Sequence, residues 1–190
     1  MKKIIGILLV LASLTLIVAC DKKAEVTDSA DWMQAYTEIV EIAYNECDTM
    51  IPNMFKDYGR YGLYDFDFDD VPELFVEIYG YASYDHYIRV YDYVKGELVA
   101  LGEFESPDAW VYGVNEKNAF LYGYTTTKGV NGWNIMRYEN GVFESEELVK
   151  FDGASSGEPD KAQIVDMGYE VTDITAFDLA DPSGIGTEIK

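Results

Sequence analysis

The stretch Asp65-Phe66-Asp67-Phe68-Asp69-Asp70-Val71-Pro72-Glu73-Leu74-Phe75-Val76 decides how this chain is read. Aspartates at every second position place carboxylates on one side of a tight loop, and the run from Leu74 to Ile78 then reads directly as a β-strand. Hard oxygen ligands at alternating positions are what a calcium ion of six- to eight-fold coordination requires. As a calcium loop, Asp65, Asp67 and Asp69 stand at positions one, three and five, and Glu73 at position nine. The alternative is an acidic turn that leads into a strand and binds no metal.

The match to an EF-hand fails in three places. Asp70 stands where glycine is usual, Pro72 occupies position eight, and Val76 stands where a bidentate glutamate belongs. A strand follows the loop, where an EF-hand needs a helix. The loop resembles more closely the Asp-rich hairpin of integrin-like propeller repeats, in which position nine supplies a ligand before a strand. A complete propeller is not expected, because one acidic turn and about eight strands make two blades and at least four are needed.

Upstream, Trp32, Tyr36, Ile39, Ala43, Cys47 and Met50 recur at helical spacing, with Glu38, Glu41, Asn45 and Asp48 mostly off that face. Asp28 or Ser29 can cap this helix, Asp31 sits in its first turn, and Pro52 ends it. Downstream the pattern turns to short strands. Tyr87 to Val94 turns at Lys95-Gly96 into Glu97 to Leu101, and Ala109 to Val114 turns at Asn115 to Asn118 into Ala119 to Tyr124. Trp133 to Tyr138 meets Val142 to Val149 across Asn140-Gly141, a strong two-residue hairpin signal. Such short links make the strands antiparallel. Ala162, Ile164, Val165 and Met167, with Gly168 after them, predict a short second helix, and Ile174 to Leu179 a final strand. The fold class expected is α+β: an N-terminal amphipathic helix packed on an antiparallel β-meander sheet, with a short helix near the C-terminus.

The chain opens Met1-Lys2-Lys3 and continues with an apolar run to Ala19, shorter than the roughly 20 apolar residues that span a bilayer. It reads as a secretory signal. Ile17-Val18-Ala19-Cys20 resembles the lipobox of bacterial lipoproteins. That resemblance implies cleavage before Cys20 and acylation of its thiol, with a diacylglyceryl group strong enough to anchor where a single chain is not. The expected organisation is a signal peptide over 1–19, a lipidated N-terminus and tether over 20–28, one domain over 29–180 and a flexible tail over 181–190.

Removing residues 1–19 takes away two lysines and no acid, which leaves 12 basic against 35 acidic residues and a net charge of −23. Such a field repels nucleic acid and anionic lipid, so membrane contact is assigned to the lipid. With Cys20 lipidated, Cys47 has no partner for a disulfide and reads as a small buried hydrophobe on the helix stripe.

Trp32-x-x-Ala35-Tyr36, Tyr61-Gly62-Leu63-Tyr64-Asp65 and Asp69-Asp70-Val71-Pro72-Glu73-Leu74 together resemble a group of secreted lipoproteins from Firmicutes. These place a Trp-x-x-Ala-Tyr helix before an Asp-rich, Pro-Glu-Leu turn and a tyrosine-rich meander. The resemblance spans about residues 32–150 and implies location and fold, with no activity attached.

Sixteen tyrosines suggest a second site. Tyr87, Arg89, Tyr91 and Tyr93 share one face of a strand, with Ile88 and Val90 on the other. If Ile88 and Val90 face the helix, the tyrosines form an outward aromatic surface suited to a glycan or a protein ligand. Cross-strand pairing that stiffens the sheet is the plainer reading. Signals for catalysis are weak: His86 is the only histidine, and neither a Gly-x-Ser-x-Gly elbow nor a phosphate-cradling glycine loop occurs. The function expected is a lipid-anchored, extracytoplasmic, non-catalytic binding or interaction domain with calcium as the candidate cofactor. The rival is a secreted hydrolase that uses a pair of carboxylates.

Overall fold

The computed structural model describes residues 29–50, 59–79, 86–105, 109–125, 130–152 and 160–186. The signal segment, Cys20, the tether, Pro52 and residues 187–190 lie outside the described residues.

Helix α1 runs Ser29–Met50. Its buried stripe is Trp32, Tyr36, Val40, Ala43 and Cys47, so Val40 holds the position expected of Ile39. A spacing of four residues overshoots one helical turn and three undershoots it, so two neighbouring rows compete for the centre of a face. Tyr36 and Val40 are both fully buried, and Ile39 packs against the edge of the same cluster, half-buried.

The strands follow in the order β1 Arg60–Tyr64, β2 Glu73–Tyr79, β3 His86–Val94, β4 Glu97–Glu105, β5 Ala109–Val114, β6 Ala119–Thr125, β7 Val130–Glu139 and β8 Val142–Asp152. After helix α2, Ala162–Asp166, come β9 Val171–Asp173, β10 Phe177–Asp178 and a 3-10 turn over Pro182–Gly184. All pairings are antiparallel. The single sheet expected from the sequence is corrected to two. One has strand order β10-β1-β2-β3-β4 and the other β8-β7-β6-β5-β9.

The hairpins close where the turn residues predict. Lys95 and Gly96 have φ of 54° and 87°, and Asn140 and Gly141 have 53° and 84°. Two successive positive φ values give a turn whose twist matches that of the flanking strands.

Between the sheets lies a core of Phe66, Phe75, Ile88, Val90 and Leu101 from the first half of the chain, with Phe120, Tyr122 and Met136 from the second. Leu74, Val76 and Ile78 point the other way, into a cluster with the α1 stripe. Strand β2 is thus covered on both faces, and accordingly it reads as a nearly continuous apolar run. On the far side of the second sheet, Ile164 of α2 is fully buried with Tyr112, Leu121, Trp133 and Ile135. The neighbouring Val165 and Met167 are exposed, so this five-residue helix docks through one side chain.

The flexible tail expected from 181 onward is also corrected, as far as residue 186. The Tyr61 hydroxyl donates to the Asp181 carbonyl at 2.9 Å and accepts from the Gly184 N–H at 3.0 Å. The final strand expected over 174–179 shrinks to β10, Phe177–Asp178, on the first sheet, and β9, Val171–Asp173, precedes it on the second.

Candidate metal centre

The acidic turn is held from three directions. Tyr36 of α1 donates its hydroxyl to the Pro72 carbonyl at 2.7 Å. From the second sheet, the Asn118 N–H in the β5–β6 turn donates to the Phe66 carbonyl at 2.7 Å, and the Asn118 carbonyl accepts from Tyr138 N–H at 2.8 Å. The Phe66 ring, 1% exposed, is wedged among Phe75, Phe120 and Phe143. Within Asp65-Phe66-Asp67-Phe68 one aromatic ring is therefore an anchor between the sheets, while the other, Phe68, is left half-exposed.

The turn also ties itself together. Asp65 accepts through Oδ1 from Asp69 N–H and through Oδ2 from Asp70 N–H, both at 3.1 Å. Asp69 Oδ1 accepts from Val71 N–H at 2.8 Å, and Glu73 Oε2 from Phe66 N–H at 2.8 Å. Phe68 and Asp70 adopt left-handed conformations, with φ of 59° and 72°. Asp70 occupies the place where glycine is usual, and aspartate is among the residues that enter this region most readily.

The four carboxylates picked from the sequence fall into two adjoining groups that share Asp67. An outer group brings ligand oxygens of Asp65, Asp67 and Asp69 within 4.8 Å of one another, and an inner group does so for Asp67, Glu73 and Asp92. Asp92, on β3, was not legible as a site residue. Its signal is that Ile88, Val90 and Asp92 share a strand face, so an acid ends an apolar row. Extending the β2–β3 register by one residue beyond Leu74↔Tyr91 sets Asp92 directly across from Glu73.

Two like charges directly opposed on neighbouring strands repel. Glu73 is 1% exposed and Asp92 is 7% exposed, so water screens that repulsion poorly. Burial first, with Asp67 and Asp92 adding to it, pushes the Glu73 carboxyl up to about 9 against the pull of the Phe66 N–H. Asp67 is pushed up to about 6 by burial and by the charges of Asp69, Asp92 and Asp65, with Lys117 opposing. Burial, aided by Asp69 and Asp65, raises Asp92 as well. Asp67 Oδ1 is buried without a hydrogen-bond partner. Such an arrangement takes either protons or a cation, and an all-oxygen donor set suits a hard ion such as calcium.

The aromatic surface expected from Tyr87, Arg89, Tyr91 and Tyr93 is corrected. That strand face turns toward α1, and Ile88 and Val90 turn toward the second sheet. Arg89 pairs with Glu46 of the helix, Nη1 to Oε2 at 2.7 Å, and with Glu103 of β4. Tyr93 is buried beneath the helix and Tyr91 packs half-buried against the same cluster. Both faces of β3 carry large apolar side chains, and which face meets the helix depends on the second sheet, which the strand's own pattern does not reveal.

Cys47 is buried in the helix stripe. Among the described residues no helix is long and apolar enough to cross a membrane. Comparison with protein-family models, with curated proteins and with solved structures finds no match, so the functional reading stands on the chemistry of the site.

Proposed function

We propose that the protein is a lipid-anchored, extracytoplasmic bacterial lipoprotein that acts as a non-catalytic binding or interaction domain and is stabilised by calcium at its acidic turn. The observation that carries the calcium reading is the inner trio. Three carboxylates converge there, Asp67 among them with a buried, unpartnered Oδ1, and the outer aspartates lie beside them. A single cation shared by both groups would relieve the repulsion among Asp65, Asp67, Asp69, Glu73 and Asp92. The lipid anchor at Cys20 is supported by the lipobox and by a net charge that disfavours direct contact with anionic lipid.

The carboxylate-dependent hydrolase remains the rival because perturbed carboxylates gather at catalytic sites. Against it, Glu73 is almost wholly buried and its Oε2 is occupied by the Phe66 N–H. A general acid must reach its substrate.

Two measurements test the proposal. Cys20→Ser should release the protein from the membrane fraction or block its processing. If the variant still sediments with membranes at mature size, the anchor is refuted. Calcium should raise the melting temperature well beyond magnesium at matched ionic strength. Identical melts in the two salts refute the calcium site.

A further inference from the structure

Beside the acidic turn lies a cleft of about 420 Å³, within the range of roughly 300–1,000 Å³ that small-ligand pockets occupy. It is walled by the turn on one side and by the β5 end and β9 of the second sheet on the other. Three carboxylates line it: Asp65 and Asp70 from the turn, and Glu170 from just before β9. Among the described residues no basic one does. Asp65 spends both oxygens on backbone N–H groups, so it contributes field, whereas Asp70 and Glu170 stand exposed at the rim. Glu170 is placed by its own N–H, which donates to Asn115 Oδ1 at 3.1 Å.

Between the charges the walls are apolar. Tyr64, Pro72 and Val114 supply them, and the Tyr64 ring is fixed by its hydroxyl, which donates to the Val114 carbonyl at 2.7 Å. The Phe68 ring stands at the edge, half-exposed. An anion is repelled here, and a neutral ring would leave the carboxylates without a counter-charge. Carboxylates set around aromatic and aliphatic walls complement a positive head on an apolar stem, which the face of an aromatic ring also attracts.

We propose that this cleft binds a small organic cation, an alkylammonium group carried on a short aliphatic chain, with the head toward Asp70 and Glu170 and the stem against Tyr64, Pro72 and Val114. The inference rests on the reading of the chain as a binding domain and names the class of ligand it would take.

The test is a calorimetric titration of the full chain in nonionic detergent with cadaverine, against pentanediol as its uncharged counterpart, with and without calcium. Cadaverine should bind at one site and pentanediol should not. Glu170→Gln should weaken binding about tenfold, the scale of a charge-assisted contact. Phe68→Ala should weaken it about fivefold. Glu144→Gln, which removes the same charge from an exposed position on β8, should leave it unchanged. Melting curves of each variant check that the fold is intact.

Absent binding, equal binding of the diol, or equal weakening by Glu144→Gln would overturn the proposal. So would loss of amine binding at the calcium concentration that saturates the turn, because the cleft would then belong to the metal centre. These failures leave the anchoring and calcium tests untouched. Conversion of the amine to a product would refute the non-catalytic reading while leaving the cleft in place.

Discussion

Replacing Glu73 by glutamine removes the ionisable proton of the inner trio and keeps its shape. In the folded protein burial holds this carboxyl up at about 9, against 4.5 for the free side chain. The folded state therefore keeps a proton that the unfolded state gives up. The associated stability is full below about pH 4.5 and declines as pH rises toward 9. At neutral pH, between two and three units into that window, the loss is at most about 3 kcal/mol at ~1.36 kcal/mol per unit. Asp67, raised to about 6, adds a loss of the same sign at lower pH. Glutamine has no such dependence, and its amide oxygen can accept the Phe66 N–H as Oε2 does at 2.8 Å. In EDTA at about pH 8 the variant should thus melt several degrees above the parent, at roughly 2–4 °C per kcal/mol. Near pH 4 the two should nearly coincide. In calcium the gap should narrow. The parent gains ~2.7 kcal/mol at a hundredfold excess over Kd, while the variant, having lost a ligand charge, gains less. Thermal melts followed by tryptophan fluorescence, in EDTA and in calcium chloride across this pH range, measure all of it. A variant that melts below the parent at alkaline pH in EDTA, or gains as much from calcium, would refute the reasoning.

Three further outcomes follow from the packing and the turn. Val40→Ala should cost about 2 kcal/mol in urea melts, from the lost methyl burial and the cavity left, and more than Ile39→Ala in spite of the smaller side chain. An equal or reversed order would mean that the stripe is set differently. Asp67→Asn should abolish most of the calcium-induced rise in melting temperature, since Asp67 belongs to both carboxylate groups, and should leave the calcium-free protein as stable or more so. Gly113→Ala would place a Cβ 2.3 Å from the Tyr64 ring, so it should cost about 1–3 kcal/mol by dislodging that ring from the Val114 carbonyl. An unchanged melting temperature would show that the ring can move freely.

The local grammar of the chain was legible. The Lys95-Gly96 and Asn140-Gly141 turns and the bonds inside the Asp-rich turn rest on interactions within a few residues, which the sequence displays directly, and the α1 stripe was legible except that Val40 takes the place expected of Ile39. What lay hidden depends on partners far along the chain. Hairpins read one after another do not say whether they extend one sheet or start a second. The one hint was β2, where Leu74, Phe75 and Val76 demand cover on both faces. The tyrosine face of β3 was turned the wrong way for the same reason, because the unseen second sheet claims Ile88 and Val90. Asp92 joined the site only once the β2–β3 register set it opposite Glu73. The cleft needed Glu170, about a hundred residues beyond Asp70 and brought to the turn by the edge strand β9.

The way the last strands divide bears on how the chain is assembled. β9 completes the edge of the second sheet beside β5, and β10 completes the edge of the first beside β1. The hydroxyl of Tyr61 then clasps a backbone 120 residues away. A chain made from its N-terminus thus has to hold both sheets with an unfinished edge until its final segment is available. Open edges invite pairing with a neighbouring molecule, and contacts of such long range close slowly. During that interval the large negative charge acts as a guard, keeping half-built copies apart before the last two strands seal them. A chain cut after Gly168 would keep eight long strands and still be caught in that state, soluble at low salt and prone to self-association once salt screens its charge.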